Sequence, residues 1–256
     1  MDEEKVGLFY DVVWTEYIPE YEATEKHWSL FYGADEVRGK TVLDAGCGTG
    51  IFSIIFANKG SAKVTGIDIS EGSLSTARKL KEKFHLDNTE FRKEDMLRLP
   101  FDDECFDIVW AWGTVHHTTA PYRAITELMR VLKGGGSILL AVYTRTKLTF
   151  IHEIIRKTLV RTPRGSWTFL SKMLALLLAP VVFLFKKREK SRKGEKLEEL
   201  ILDWYFVPIR HYYYPSEIRR YLEKHGYSIE NYLPASGRFN STSNFIFKAR
   251  KPVVSE

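Results

Sequence analysis

The sequence predicts an α/β fold, a parallel β-sheet with helices on both faces. Two observations carry that expectation. From residue 41 to 143, short apolar runs rich in Val and Ile alternate with segments of helical length, the pattern of strands buried on both sides. The first run, Thr41 to Leu43, ends in Asp44 and opens into AGCGTG, with glycine at every second position. A strand that passes into a helix through such a turn frees backbone amides for an anionic group.

Taken in order, residues 1–40 carry aromatics at irregular helical spacing: Phe9, Tyr10, Trp14, Tyr17, Tyr21, Trp28, Phe31 and Tyr32. Two short helices packed over the mouth of the next domain would use most of them as core contacts. Tyr10 and Trp14 lie one turn apart and share a face, and Tyr10 is a candidate ligand contact. Strands are expected at 41–46, 63–69, 88–94, 106–112 and 136–143, and helices at 50–60, 71–85 and 121–133. Between 144 and 215 the alternation breaks. It resumes with a helix at 216–225, with Ser216 as N-cap behind Pro215 and Gly226 as terminator. Strands near 227–233 and 243–250 follow, joined by a turn containing Gly237 and Asn240, as suits an antiparallel edge.

At 256 residues the chain is long enough for one large domain, or a domain plus a cap. Cys47 and Cys105 form neither a metal-ligand spacing nor a disulfide framework. Reduced thiols in an intracellular protein, and no metal site, are the expectation. The acidic N-terminus, MDEEKVGLFYDVVW, does not read as a secretory signal. The net charge of +5 is unevenly placed: between Arg145 and Leu200 fourteen Lys or Arg stand against five Asp or Glu.

Asp68, at the end of the second strand, lies eighteen positions past Gly50. A carboxylate at that offset can accept hydrogen bonds from both hydroxyls of a ribose. A dinucleotide fingerprint, GxGxxG, would need glycine at 51, where Ile51 stands. The spacing is instead GxGxG through Gly46, Gly48 and Gly50. With Asp44 it resembles motif I of the class I S-adenosylmethionine-dependent methyltransferases. The resemblance extends in order through DAGCGTG, GIDIS, EDM, HHT and VLKGGG, from about 41 to 143, and is to the small-molecule, quinone-type members.

The chain is expected to divide into a helical lid over 1–40, a donor-binding core over 41–143, an inserted helical and basic cap over 144–215 and a completing helix and hairpin over 216–256. The resemblance implies for the core a Rossmann-like seven-stranded sheet, five parallel strands plus a C-terminal antiparallel hairpin. It also implies S-adenosylmethionine as cofactor. Asp44, Gly46, Gly48 and Gly50 would form the turn, and Asp68 with Ile69 would hold the ribose. Asp95 and Met96 would read adenine. Ala111 and Trp112 would offer backbone groups to the amino acid end, with Tyr10 alongside.

The fourth strand leads into Thr114-Val115-His116-His117-Thr118. Histidine titrates nearest working pH, so either imidazole could take a proton from an acceptor hydroxyl. His116 is expected to face the acceptor and His117 to shape the loop. Later in the chain, His211 is a second catalytic candidate, Tyr212 and Tyr214 are lining candidates, and Arg210 could hold an acidic group. No Asn-Pro-Pro-Tyr-like tetrad follows the fourth strand, and cysteines are too few for arsenic chemistry. Oxygen or carbon is therefore the expected acceptor atom.

Met173 to Phe185 is a run of thirteen residues without a charge. As a helix it would reach roughly 20 Å, against a hydrocarbon core of about 30 Å, and Pro180 would interrupt it. It should not span a membrane. Lys186, Lys187, Arg188, Lys190, Arg192, Lys193 and Lys196 follow at once. The segment 167–196 reads as an element on an anionic membrane surface, as a flap over a greasy acceptor, or as a core helix before a solvated basic loop. Stacking aromatics do not interleave the basic cluster, so nucleic acid is not the expected partner.

The expectation is a cytoplasmic methyltransferase, peripheral to the membrane, acting on a small or lipid-like acceptor such as a quinone or isoprenoid. The alternatives are an RNA or protein methyltransferase docking through the basic insertion, and a non-catalytic S-adenosylmethionine-binding regulator.

Overall fold

The computed structural model describes residues 3–13, 18–186, 197–235 and 244–253. Three helices come first: α1 (Glu3–Val13), α2 (Tyr21–Trp28) and the short α3 (Ala34–Val37). The alternating region follows as β1 (Thr41–Ala45), α4 (Ile51–Asn58), β2 (Lys63–Asp68), α5 (Glu71–Lys83), β3 (Thr89–Lys93), β4 (Phe106–Trp112), α6 (Pro121–Val131) and β5 (Leu132–Tyr143). Next are α7 (Thr149–Leu159), α8 (Trp167–Lys186) and α9 (Leu197–Tyr205), then α10 (Pro215–Lys224), β6 (Ser228–Leu233) and β7 (Asn244–Arg250).

The seven strands form one sheet in the order β3-β2-β1-β4-β5-β7-β6. The first five are parallel, β7 runs antiparallel to β5, and β6 antiparallel to β7. This is the Rossmann-like arrangement expected, hairpin included. The strand order reverses between β1 and β4, and open α/β sheets bind ligands outside the carboxyl ends of the strands at such a point.

Each central strand sends alternate side chains to opposite faces. Leu43, Val109 and Leu140 pack under α6 and α10 with Ile125, Leu128, Ile218 and Leu222. Their neighbours Val42, Ile108 and Leu139 pack on the other face with Ile54, Ile55, Leu74 and Trp28. Trp28, Phe31 and Tyr32 are buried there, so these aromatics of the N-terminal region are core contacts. The buried Lys248 ammonium of β7 donates to the Phe31 carbonyl and the Glu36 carboxylate, both at 2.8 Å, and ties that region to the sheet.

Several boundaries differ from expectation. β5 begins at Leu132, not 136, because Leu132 already pairs with Phe106 before the register shifts at the glycines. α10 is capped by Tyr214, not Ser216. Pro215 occupies the first helical position, where its missing N–H costs nothing, and the Glu217 carboxylate accepts from the Tyr214 amide at 2.6 Å. Gly226 terminates this helix with φ +81°. The helix α8 runs through Pro180. Proline cannot donate to the Leu176 carbonyl, but the surrounding leucines keep the helix continuous. Trp14, Tyr17, the basic run 187–196 and the Gly237/Asn240 turn lie outside the described residues.

The chain divides into two compact units, residues 1–146 with 209–256, and residues 147–208. The second holds α7, α8 and α9. In it the buried Arg156 pairs with Glu153 through two hydrogen bonds of 2.8 and 2.9 Å and donates to the carbonyls of Val207 and Pro208. Trp167 packs on Phe206 and donates its indole N–H to the Thr162 carbonyl at 3.1 Å. No helix among the described residues is long and apolar enough to cross a membrane.

Candidate active site

At the end of β1 the chain turns sharply, and the amides of Gly46 and Cys47 both donate to the Ile67 carbonyl of β2, at 2.8 and 2.9 Å. Gly46, Gly48 and Gly50 have φ of +72°, +53° and +83°, the left-handed region that disfavours side chains. Their surroundings separate them. A Cβ on Gly46 would lie 2.3 Å from the Thr114 methyl, and one on Gly50 would lie 2.8 Å from Ala77 and the Phe91 ring. Gly48 alone among the three has nothing within 4 Å of that position. Gly46 and Gly50 are therefore required by the protein's own packing, while Gly48 presents bare backbone to open space.

The Gly48 amide donates to one oxygen of Asp68 and the Ser70 amide to the other, each at 2.9 Å. A carboxylate offers about four acceptor sites, so Asp68 is held in place and still able to accept. Burial pushes its pKa up, and the backbone amides oppose that shift. Asp44, deeper in the sheet, accepts from the Ser53 hydroxyl at 2.6 Å. Burial raises its carboxyl to about 7, with the nearby Asp68 charge adding to the effect.

The loop after β2 is clamped from above by α1. Asp11 accepts from the Ser70 hydroxyl at 2.6 Å and the Gly72 amide at 2.9 Å. Gly7 lies so close that a Cβ there would meet the Ile69 carbonyl at 3.1 Å. α1 also brings the Tyr10 ring edge-on to His117, centroids 5.7 Å apart. After β3 the Glu94 amide donates to the Asp68 carbonyl at 3.2 Å, which keeps Glu94 to Met96 beside the end of β2. There Asp95 caps its own turn by accepting from the Leu97 amide at 2.8 Å, and Met96 packs on the core.

The β1–β4 pairing ends at Asp44↔Trp110, whereas β4–β5 continues to Trp112↔Ala141. Ala111 thus lies level with Ala45, the last residue of β1, and Trp112 extends past it at the switch point. The Trp112 ring is stacked on Trp110, with centroids 5.4 Å apart, so the backbone and not the indole faces the crevice edge.

The short turn Val115–His117 follows. His117 is committed to structure: its Nδ1 lies 2.9 Å from the Ile209 carbonyl. His116 is 0% exposed, and among the described residues neither ring nitrogen has a hydrogen-bond partner. Its ring lies 4.1 Å from that of Tyr143 and 4.3 Å from that of His117. Burial, with the neighbouring His117, Arg210 and His211, holds its pKa well below the usual value, so the imidazole is neutral. A buried polar group left without a partner costs about 1–3 kcal/mol, so the two bare nitrogens call for a partner or a role.

The segment after residue 208 completes this corner. The His211 amide donates to the His116 carbonyl at 2.9 Å, and the Arg210 guanidinium lies over the Tyr143 ring at 4.6 Å. Tyr212 is buried and stacks on Tyr143, while Tyr214 is half exposed under Arg145. Asp11, Ser70, Thr114 and Tyr143 were missed by sequence reasoning. Ser70, an N-cap ahead of α5, carried a readable signal; the other three are set by tertiary contact.

A model of the methyltransferase domain matches residues 36–172, more than half of the chain. The chain belongs to the S-adenosylmethionine-dependent methyltransferase family. The cofactor is S-adenosylmethionine, and the residues present fit it: open backbone at Gly48, acceptor capacity on Asp68 and overhanging backbone on β4. The chain is 37% identical over 103 residues to the 27-O-demethylrifamycin SV methyltransferase of Amycolatopsis mediterranei, covering 40% of this chain and 38% of that protein. It is 30% identical over 179 residues to the demethylmenaquinone methyltransferase of Lactococcus lactis, covering 69% of each. It spans half or less of the length of the first curated relatives it matches. In fold it is similar to magnesium protoporphyrin IX methyltransferase from Synechocystis, solved with bound SAH. The TM-score is 0.56 at 20% identity, over 90% of this chain and 81% of that one.

Proposed function

We propose that the chain transfers a methyl group to an oxygen or carbon atom of a small or lipid-like acceptor. The observation that carries this reading is His116, a buried imidazole with no hydrogen-bond partner on either ring nitrogen among the described residues, one short turn past β4. When bound, S-adenosylmethionine supplies an electrophilic methyl group on a sulfonium centre. The chain's own share is binding, orientation and proton handling.

Asp68 and the Gly48 backbone would hold the ribose, with Ile69 under α1 beside them. Asp95 and Met96 would hold the adenine, and the Ala111 and Trp112 backbone the amino acid end. Asp44, Gly46 and Gly50 shape the turn that makes this possible, and Tyr10 lies alongside. His116 would take the acceptor's proton at a ring nitrogen, with His211 as the second candidate. An imidazole this reluctant to ionise favours an acceptor whose hydroxyl is already acidic, as in a phenol or hydroquinone. Relatives named for demethylmenaquinone and 27-O-demethylrifamycin support a small-molecule acceptor. A cytoplasmic location accords with two free cysteines.

The test uses full-length protein, S-adenosylmethionine labelled on its methyl group, and three acceptor pools: hydroquinones with short prenyl tails, total RNA, and bulk protein. Label extracted with the hydroquinones supports the reading. Label confined to RNA or protein would replace it with macromolecular methylation through the basic insertion. Tight donor binding without transfer to any pool would make the chain a donor-binding regulator.

A further inference from the structure

In the unit formed by residues 147–208, α8 has two faces of different character. One is internal: Trp167 and Ser171 are buried, and the Trp167 ring packs on Phe206. The opposite face carries Phe169, Met173, Leu176 and Leu177, spaced as one helical stripe. Phe169, Leu176 and Leu177 are 65%, 72% and 68% exposed. In the same unit α7 exposes Phe150, Ile151 and Ile154 on one side. Seven of the fifteen large hydrophobic residues exposed among the described residues therefore lie on these two helices. Scattered exposed leucines need no explanation, but a contiguous apolar stripe on a solvent face marks an interaction surface.

Charge identifies the occupant. Residues 147–208 hold thirteen Lys or Arg against six Asp or Glu, whereas the whole chain nets only +5. Arg156 is spent inside the unit, but Lys157, Arg161, Arg164 and Lys172 are exposed on the same unit, Lys172 next to Met173 in α8. The sequence immediately after α8 adds Lys187, Arg188, Lys190, Arg192, Lys193 and Lys196. A second copy of the chain would bring like charges together on this face. A nucleic acid would need stacking aromatics among the cations, and the stripe is mainly aliphatic. Aliphatic side chains that enter the acyl boundary, ringed by cations that meet headgroups, match an anionic bilayer surface.

We propose that residues 147–208 dock on an anionic lipid bilayer surface through the outward apolar face of α8, assisted by its basic surroundings. Docking at this face does not depend on which acceptor the core methylates, and its test needs no turnover. Full-length protein is floated with phosphatidylcholine vesicles, with and without phosphatidylglycerol. It should rise with the anionic vesicles at low salt and only partly release at high salt, because burial of the stripe is unscreened.

The double variant Leu176→Glu/Leu177→Glu should lose at least tenfold in partitioning. Neutralising Lys157, Arg161 and Lys172 to Gln should cost about fivefold for each charge removed. Both variants should keep wild-type melting temperature and S-adenosylhomocysteine affinity, since the altered side chains are exposed. Protein that stays at the bottom with anionic vesicles at low salt overturns the proposal. So does equal flotation of wild type and the glutamate variant. A glutamate variant that instead converts a wild-type dimer to monomer, with no vesicle binding by either, reassigns the face to self-association.

Discussion

Substituting Gly48 and Gly46 by alanine, one at a time, separates donor binding from folding. At Gly46 the new Cβ would lie 2.3 Å from the Thr114 methyl, whose hydroxyl is already bonded to the Ala45 carbonyl at 3.0 Å. Left-handed backbone costs a non-glycine residue about 1–2 kcal/mol, and overpacking adds about 1–3. Gly46→Ala should therefore lose about 2–5 kcal/mol, a fall of about 4–20 °C in melting temperature for a chain of this size. At Gly48 only the backbone cost applies, because nothing lies within 4 Å of the new Cβ. Its melting temperature should drop by about 2–8 °C. The same Cβ would occupy the open side of the amide that bonds Asp68. Calorimetry should then find S-adenosylhomocysteine affinity reduced by roughly a hundredfold, as expected when about 2–3 kcal/mol of close contact and charged hydrogen bonding is blocked. Wild-type affinity in Gly48→Ala would refute the placement of the donor. A wild-type melting temperature in Gly46→Ala would refute the packing argument.

Asp68→Ala should lower donor affinity by tenfold or more, since each charge-assisted bond to a ribose hydroxyl is worth about 1.5–3 kcal/mol; titration calorimetry measures it. Asp44 yields a pH signature. Its folded pKa of about 7 is raised by burial above the ordinary carboxyl value, so its contribution to stability is full below that ordinary value and is lost as pH rises through 7. Asp44→Asn removes the ionisation, at about 1.4 kcal/mol per pKa unit. The variant should melt above wild type at pH 8 and match it near pH 4; a pH-independent difference would contradict the assignment.

The sheet was legible from the sequence because its central strands are buried on both faces and must be apolar, while glycines and polar residues punctuate them. Gly226 stops α10 as read, since only the left-handed conformation of glycine serves there. The turn around Gly46, Gly48 and Gly50 was visible as a motif, but the different duties of its glycines were not. Those duties depend on Thr114 and Phe91, 68 and 41 positions later than Gly46 and Gly50. A loop-shaping role for His117 was expected from the sequence, but its partner, the Ile209 carbonyl far along the chain, and the lack of a partner for either His116 nitrogen among the described residues emerged only with the fold. Asp11 could not be found from spacing, because its partners Ser70 and Gly72 are some 60 residues away. Pro180 misled for a general reason: a proline's local cost is outweighed when strong helix formers surround it.

The central chemical claim is that His116 accepts the acceptor's proton and contributes nothing to donor affinity. It is tested most directly by the rate of label transfer in a single turnover, with protein preloaded with methyl-labelled S-adenosylmethionine and a prenylated hydroquinone added. His116→Ala should react about a hundredfold slower or worse, with donor affinity unchanged. An undiminished rate, or equal losses in His116→Ala and His117→Ala accompanied by a falling melting temperature, would contradict it and leave both histidines as parts of the loop.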